Sequence, residues 1–256
     1  MSRFSTLLTM GLLAVSAFAA TFASPPAKPS TKLYEVRIYH PTPGNYANIV
    51  DRFRQYTTKL FEKHGMENIG YWTPTDTTDK RLIYILAYPD RAARDASWKA
   101  FGNDPDWKAV VAKTEANGRI VAKVDQIFMT EADISPALKL KKASPTRVFE
   151  MRTYFPAPGK LADLLSRFRD HTIKLFSKHG MTNVAYWLTE DKDADGQSKL
   201  VYILAHPSEA EGKQHFDEFR KDAKWVKAKA DSEKNGSLTT KVESVYMVPT
   251  DYSPIQ

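Results

Sequence analysis

One stretch occurs twice in this chain, and the duplication limits the possible folds more than any other feature of the sequence. The first copy runs from Arg52 to Trp72, and the second, from Arg167 to Trp187, repeats most of its aromatic, basic and glycine positions. The offset between the copies is constant, since 167 − 52 and 187 − 72 both equal 115. Solenoid proteins use shorter repeats, so this spacing indicates a duplicated domain.

Composition excludes several classes of site. The chain has 256 residues, enough for one large or two small domains. It contains no cysteine, which excludes disulfides, thiolate zinc sites, cysteine nucleophiles and a lipoprotein anchor. The formal net charge is +7, but the basic residues are spread among 30 acidic ones without an aromatic and basic array. We therefore expect no nucleic-acid partner.

Residues 1–23 have the pattern of a secretory signal peptide. Arg3 gives a positive start, the apolar run Phe4–Phe18 follows, and small residues suited to cleavage end at Ala19 and Ala23. The apolar run is slightly short for a membrane span, which favours cleavage over a retained anchor. The sequence thus predicts a periplasmic or secreted protein with no stable membrane span after processing.

The remaining sequence predicts two similar units. Residues 24–32 are proline-rich and form a flexible lead-in, and residues 131–147 form a linker between domains 33–130 and 148–256. Beyond the second hairpin the offset between the repeats changes from 115 to 118, for example from Trp107 to Trp225. This change indicates a three-residue insertion in the hairpin loop of the second unit.

Each unit has the pattern of a ferredoxin-like fold. Apolar and polar residues alternate along Leu33–Tyr39, as in a strand, and an apolar stripe from Tyr46 to His64 predicts a helix that ends before Gly65. Later runs complete a β-α-β-β-α-β order. Because both helices cover the same sheet face, the other face needs a partner. We predict an α+β protein in which two tandem ferredoxin-like units pair as an intrachain dimeric α/β-barrel; further oligomerisation remains open.

The repeated motifs resemble those of the NIPSNAP family. The motifs are the Leu33–Tyr39 strand, Pro43-Gly44, the duplicated Arg-Phe-Arg to Trp run and the later Trp-Lys or Trp-Val helix. The resemblance extends over the whole mature chain, once per repeat, and implies the dimeric α/β-barrel. Relatives of that fold include small monooxygenases, isomerases and haem proteins, but the chemistry of the family itself is poorly defined. The export signal and tandem layout depart from animal members, so we do not transfer their mitochondrial or vesicle-linked roles.

The first strand of each unit carries charged residues that we expect to face the barrel interior. Buried charges must pair. One interpretation is therefore a Glu-Arg ladder that holds the two halves in register. The other is a polar pocket for a small anionic or phenolic ligand. The residues on this face are Glu35, Arg37 and Tyr39 in the first unit and Glu150, Arg152 and Tyr154 in the second.

Four further residues complete the predicted ligand pocket. His64 and His179 end the first helix of each unit, where a histidine can carry a proton or bind a metal, or can simply interact with the helix carbonyls. Trp72 and Trp187 lie on strands, where aromatic residues are usually core and sometimes contact a ligand.

A short acidic run suggests a calcium site. Asp191, Asp193 and Asp195 alternate before Gly196, as in the first half of a calcium-binding loop. Tyr202 stands where the bidentate glutamate of an EF-hand belongs, so the alternative is a polar turn.

The sequence contains none of the common signatures of catalytic nucleophiles, zinc sites or nucleotide-binding sites. We therefore predict an exported module that binds a small molecule or a protein partner. The alternatives are a cofactor-independent monooxygenase or isomerase and a haem- or metal-binding barrel. No cofactor is expected, with haem and calcium as the alternatives.

Overall fold

The computed structural model of the protein describes residues 32–256. The predicted signal peptide and most of the lead-in lie outside the described residues. Within residues 32–256, none of the helices combines the length and apolar character needed to cross a membrane.

The first repeat contains four strands and four α-helices. Its first two helices are joined by a π-helical turn, Phe53–Thr57, in which the Thr57 hydroxyl donates to the Arg52 carbonyl at 3.2 Å. In chain order the elements are β1 Leu33–Pro41, α1 Tyr46–Arg52, α2 Thr58–Lys63, β2 Glu67–Pro74, β3 Leu82–Tyr88, α3 Arg91–Asn103, α4 Pro105–Thr114 and β4 Val121–Glu131.

The second repeat has the same order, including the π-helical turn at Phe168–Thr172. The hairpin between its second and third strands is longer, where the sequence predicts the insertion. Its elements are β5 Val148–Pro156, α5 Leu161–Arg167, α6 Ile173–Lys178, β6 Thr182–Lys192, β7 Ser198–His206, α7 Glu209–Lys221, α8 Ala223–Ser232 and β8 Thr239–Pro249.

The eight strands of residues 32–256 form one closed barrel in the order β1-β3-β2-β8-β5-β7-β6-β4. Two antiparallel seams join the repeats: β2 pairs with β8, where Trp72 opposes Pro249, and β4 pairs with β6, where Glu131 opposes Trp187. Closure leaves no open sheet edge. The predicted α+β class and intrachain pseudo-dimeric barrel are confirmed.

Segments that follow the last strand of each repeat reinforce the seams reciprocally. We call residues 132–135 the first strap and residues 250–253 the second strap. Each strap hydrogen-bonds to the backbone of a tyrosine in the other repeat: Ala132 N donates to Tyr186 O, and Thr250 N to Tyr71 O, both at 2.9 Å. Asp133 pairs with Arg169, and Asp251 with Arg54. Each repeat thus fastens the other.

The barrel interior is apolar. Tyr34, Val36 and Ile38 of β1 point inward and pack in one cluster with Trp72, Trp187 and the apolar residues of the other strands. The alternate residues of β1, including Tyr39, face the helices instead. The prediction that Glu35 and its neighbours face the interior is therefore wrong.

The hydrogen-bond partners of the charged residues explain why these residues face the helices and not the barrel interior. Helix α3 supplies Arg94 and Trp98 as hydrogen-bond donors to Glu35, whereas the interior cluster is built from apolar and aromatic residues. A buried carboxylate needs donors, so the charged face of β1 lies under the helices. The second repeat behaves in the same way, with Tyr154 in the helix-side cluster.

Candidate functional site

The charged residues of the first repeat form a saturated network between sheet and helices. Glu35 is fully buried and accepts five hydrogen bonds. They come from Arg37 Nη1 (2.7 Å), Arg94 Nη2 (2.9 Å), Arg94 Nε (3.1 Å), Tyr88 Oη (3.1 Å) and Trp98 Nε1 (3.3 Å). Both carboxylate oxygens and two arginines are used, so this network is a structural clamp.

Electrostatics agree with that assignment. Burial alone would raise the pKa of Glu35, but hydrogen bonds from Arg94 and the charge of Arg37 outweigh burial and hold the pKa below its ordinary value. Arg37 also donates from Nε to Tyr84 Oη at 3.0 Å, and its guanidinium carbon lies 4.2 Å from the centre of the Trp98 ring.

The second repeat keeps the central pair but has lost most of its partners. At an offset of 118, His206 replaces Tyr88, Gly212 replaces Arg94, and Phe216 replaces Trp98. Glu150 Oε1 still accepts from Arg152 Nη1 at 2.5 Å. Within the described part of the chain, Glu150 Oε2 accepts no hydrogen bond.

A buried imidazole lies beside the unpaired oxygen. His206 Nε2 is 3.5 Å from Glu150 Oε2, and both side chains are at most 1% exposed. Neither ring nitrogen of His206 has a hydrogen-bond partner among residues 32–256. The same applies to Arg152 Nε, whose counterpart in the first repeat bonds to Tyr84. Buried polar atoms are normally paired, so this cluster is unusual.

Gly212 makes room for this arrangement. A Cβ atom at this position would come within 2.9 Å of His206 Cγ and 3.1 Å of Tyr246 Cε1. Any larger residue would push on both rings. The loss of Arg94 and the placement of His206 in the second repeat are therefore one structural change.

A cavity of about 240 Å³ lies next to Arg152, between the helices and the sheet of the second repeat. Its wall is aromatic: Tyr154, Phe168, Phe176, Phe216, Phe219 and Trp225. Four cations also line it: Arg152, Arg167, Arg220 and Lys229. Of the described residues in the lining, Glu233 is the one acid, and it pairs with Arg167 at 2.7 Å.

Part of this basic lining is specific to the second repeat. Arg220 and Lys229 correspond to Gly102 and Val111 in the first repeat. Phe216 is also smaller than its counterpart Trp98. The second repeat therefore combines space, positive charge and unpaired polar atoms.

The two predicted histidines do not reach the cavity. His64 Nε2 lies 2.6 Å from Asp104 Oδ2, and His179 Nε2 lies 2.9 Å from Asp222 Oδ2. Each aspartate also caps the next helix. Hydrogen bonds from Lys178 and His179 hold the pKa of Asp222 well below its usual range. This geometry favours the structural interpretation of both histidines.

The two predicted tryptophans lie inside the barrel, on the opposite side of the sheet. Trp72 packs against Phe149 with ring centroids 5.7 Å apart, and Trp187 packs against Tyr34 at 5.5 Å. The ten residues of the predicted pocket therefore fall in separate places. Arg152 and Tyr154 line the cavity.

The acidic run forms the tip of the β6–β7 hairpin. Asp193 Oδ1 accepts hydrogen bonds from the backbone N–H groups of Asp195 (3.0 Å) and Gln197 (2.8 Å), and Gly196 has φ +73°. Across residues 32–256, no three His, Asp or Glu side chains are grouped to hold a metal ion. Calcium binding by Asp191, Asp193 and Asp195 stays a prediction.

Sequence reasoning missed His206, Gly212 and Phe216. The available signal was the internal alignment itself. At these three positions the second repeat differs from the first, whereas the predicted pocket was built from residues that occur in both repeats.

Comparisons with known proteins agree with the fold. A proposed monooxygenase from Fusobacterium nucleatum superimposes with a TM-score of 0.58 at 12% identity, covering 86% of this chain and 93% of that one. A proposed monooxygenase from Lactobacillus acidophilus gives 0.54 at 12% identity, covering 86% and 94%. An anthrone oxidase-like protein gives 0.54 at 8% identity, covering 88% and 94%. At such identities the likeness shows the fold alone.

Sequence comparison is more specific. No curated protein is similar enough to match this chain. The NIPSNAP family profile, however, matches it twice, over residues 34–136 and 149–254, which correspond to the two repeats. The chain therefore belongs to the NIPSNAP family.

Proposed function

We propose that the second repeat binds a small molecule with an apolar, ring-containing body and an anionic head group. The observation that carries this proposal is the cavity beside Arg152, which combines an aromatic wall with an excess of cations. The equivalent charged pair in the first repeat serves as the structural clamp.

The cations define the head group. Arg167 pairs with Glu233, and Lys229 lies 3.8 Å from the same carboxylate. Arg152 and Arg220 pair with Glu150 and Asp217, which lie outside the lining, so the described residues of the cavity wall itself include four cations and one acid. Arg152 has a side chain 16% exposed and an Nε–H that donates no hydrogen bond within residues 32–256. A guanidinium with a free donor suits a carboxylate or another planar oxyanion.

The aromatic residues define the body of the ligand. Side chains such as Phe168, Phe219 and Trp225 offer flat apolar surfaces, which favour stacked or edge contacts with another ring. The volume of about 240 Å³ is small for a ligand pocket. It therefore suits a molecule of one or two rings.

Titration with 2-naphthoate, followed by its fluorescence, tests the proposal. Charge-assisted hydrogen bonds contribute about 1.5–3 kcal/mol, so Arg152→Met should weaken binding by about tenfold or more. The matched variant Arg37→Met, in the first repeat, should bind as the wild type does once circular dichroism shows that it is folded. The neutral 2-naphthylmethanol should bind more weakly than 2-naphthoate. Undetectable binding, or equal losses in both variants, would refute the proposal.

A cofactor-independent oxygenase is the second candidate, and the Glu150–His206 pair favours it. A carboxylate beside an imidazole is the type of group that removes a proton from an acidic carbon or hydroxyl. Two structurally similar proteins are described as proposed monooxygenases, and a third as anthrone oxidase-like. Dioxygen consumption with anthrone, compared between the wild type and His206→Gln, tests this activity. Equal rates would exclude a role of His206.

Haem ligation by His64 or His179 is a weaker alternative, because Asp104 and Asp222 occupy their Nε2 atoms. A visible absorbance band in the purified protein would support it. We also propose export, on the basis of the signal pattern in residues 1–23.

A further inference from the structure

The buried charges of the two repeats differ by one. In the first repeat, Glu35 contacts both Arg37 and Arg94, so the group carries a net charge of +1. In the second repeat, Gly212 stands in place of Arg94, and Glu150 has Arg152 as its arginine partner. Glu150 and Arg152 together have no net charge.

An anionic ligand would disturb this balance. If its head group binds Arg152, two negative charges share one guanidinium beside a carboxylate that is 1% exposed. Unbalanced buried charge is strongly unfavourable. In the first repeat Arg94 would supply the missing cation. Among the described residues of the second repeat, His206 is the titratable side chain that contacts the unpaired oxygen of Glu150 and can become positive.

We propose that binding of an anionic ligand in the second repeat is coupled to the uptake of one proton by His206. Protonated His206 then pairs with Glu150 Oε2, as Arg94 pairs with Glu35. The inference rests on the proposed function, since it names how pH regulates that same site. By reciprocity, a proton on His206 strengthens anion binding, and a bound anion holds the proton.

The surroundings of His206 leave few competing proton sites. Tyr246 on β8 has its ring centroid 5.9 Å away, and burial together with Glu150 raises the pKa of Tyr246 far above its ordinary value, so it stays neutral. His215 on α7 lies 6.4 Å away, is partly exposed and is the main competitor. The titratable and charged groups around the imidazole are Glu150 and Arg152 on β5, Tyr246 on β8, and Glu209, Lys213 and His215 on α7.

Calorimetric titration with 2-naphthoate in two buffers of different ionisation enthalpy measures the coupling in the unaltered protein. A carboxylic acid of this kind is fully ionised above about pH 6, so the ligand contributes no proton. We expect an uptake that approaches one proton per ligand as pH rises. Over the same range Kd should increase about tenfold per pH unit. The neutral 2-naphthylmethanol should bind without proton uptake.

Two variants locate the proton. His206→Gln should abolish both the uptake and the pH dependence of Kd, whereas His215→Gln should leave them unchanged. Binding of 2-naphthoate without buffer-dependent enthalpy would overturn the inference while leaving the proposed function standing. Loss of uptake in His215→Gln, or its persistence in His206→Gln, would also overturn it. Failure of the wild type to bind 2-naphthoate would refute the proposed function itself, and the inference with it.

Discussion

Replacing Glu35 with glutamine should destabilise the protein much more than the same replacement of Glu150. Both oxygens of Glu35 accept hydrogen bonds: Oε1 from Arg37 and Arg94, and Oε2 from Tyr88, Arg94 and Trp98. The amide nitrogen of a glutamine would therefore oppose a donor in either orientation. The substitution would also leave Arg37 and Arg94 without a buried counter-charge.

The expected losses of stability differ because one carboxylate oxygen of Glu150 accepts no hydrogen bond within residues 32–256. Breaking a buried ion pair by removing one partner costs about 3–5 kcal/mol, which we expect for Glu35→Gln. In Glu150→Gln the amide nitrogen can take the place of Oε2 and donate to His206 Nε2, 3.5 Å from that oxygen in the wild type. Arg152 keeps some exposure, and the weakening of one charged hydrogen bond should cost about 1–2 kcal/mol.

Denaturation by urea at several pH values provides the assay. The pKa of folded Glu35 is lowered, so its stabilising effect is fully present above the unfolded value of about 4.3 and is lost as pH falls through the folded value. The deficit of Glu35→Gln should therefore be complete at pH 7 and shrink in acid below about pH 4. Equal losses in the two variants at pH 7, or an unchanged deficit of Glu35→Gln in acid, would refute the reasoning.

Three further predictions do not depend on the binding of 2-naphthoate. Gly212→Ala should destabilise the protein by about 1–3 kcal/mol, because its Cβ would approach His206 to 2.9 Å. A Cβ at Gly102 meets open space, so Gly102→Ala should stabilise helix α3 by about 0.5–1 kcal/mol. Thermal melts of the two variants compare these effects. The exported protein should begin near Ala20 or Ser24 by intact mass, and a retained Met1 would contradict this expectation. Millimolar calcium should give a calorimetric signal that is lost when Asp193 and Asp195 are both changed to Ala. The same signal in the wild type and this variant would exclude the site.

The fold followed from the sequence because its determinants are local or repeated. The duplicated run, the alternation in Leu33–Tyr39 and the offsets of 115 and 118 predicted two ferredoxin-like units and their pairing. The inward face of β1 was assigned incorrectly because both faces of this sheet are covered. Alternation separates Val36 from Glu35 but does not show which side the helices cover. The deciding partners, Arg94 and Trp98, lie 59 and 63 residues away from Glu35.

The candidate site was harder to predict for a different reason. Recurrence of a residue in both copies marked what the fold needs, as with His64 and His179, which bind the aspartates that cap α4 and α8. Phe216 of the cavity wall and the unpaired nitrogens of His206, for which Gly212 makes room, all occur where the copies differ. A single substitution of this kind looks unremarkable in the sequence until its counterpart is seen to hold a buried charge.

Joining both repeats in one chain accounts for this pattern of similarity and difference. A seam needs contributions from both repeats, so the strap pairs remain reciprocal, with Asp133 on Arg169 and Asp251 on Arg54. Helix α7 packs on strand β7 of its own repeat, so Gly212 can replace Arg94 there without opening the barrel. A dimer of identical chains would carry two equal ligand sites, whereas here the first repeat has Trp98, which donates to Glu35, in place of the cavity-lining Phe216. Calorimetry with 2-naphthoate should therefore give one site per chain, and a stoichiometry of two would show that the first repeat is also open.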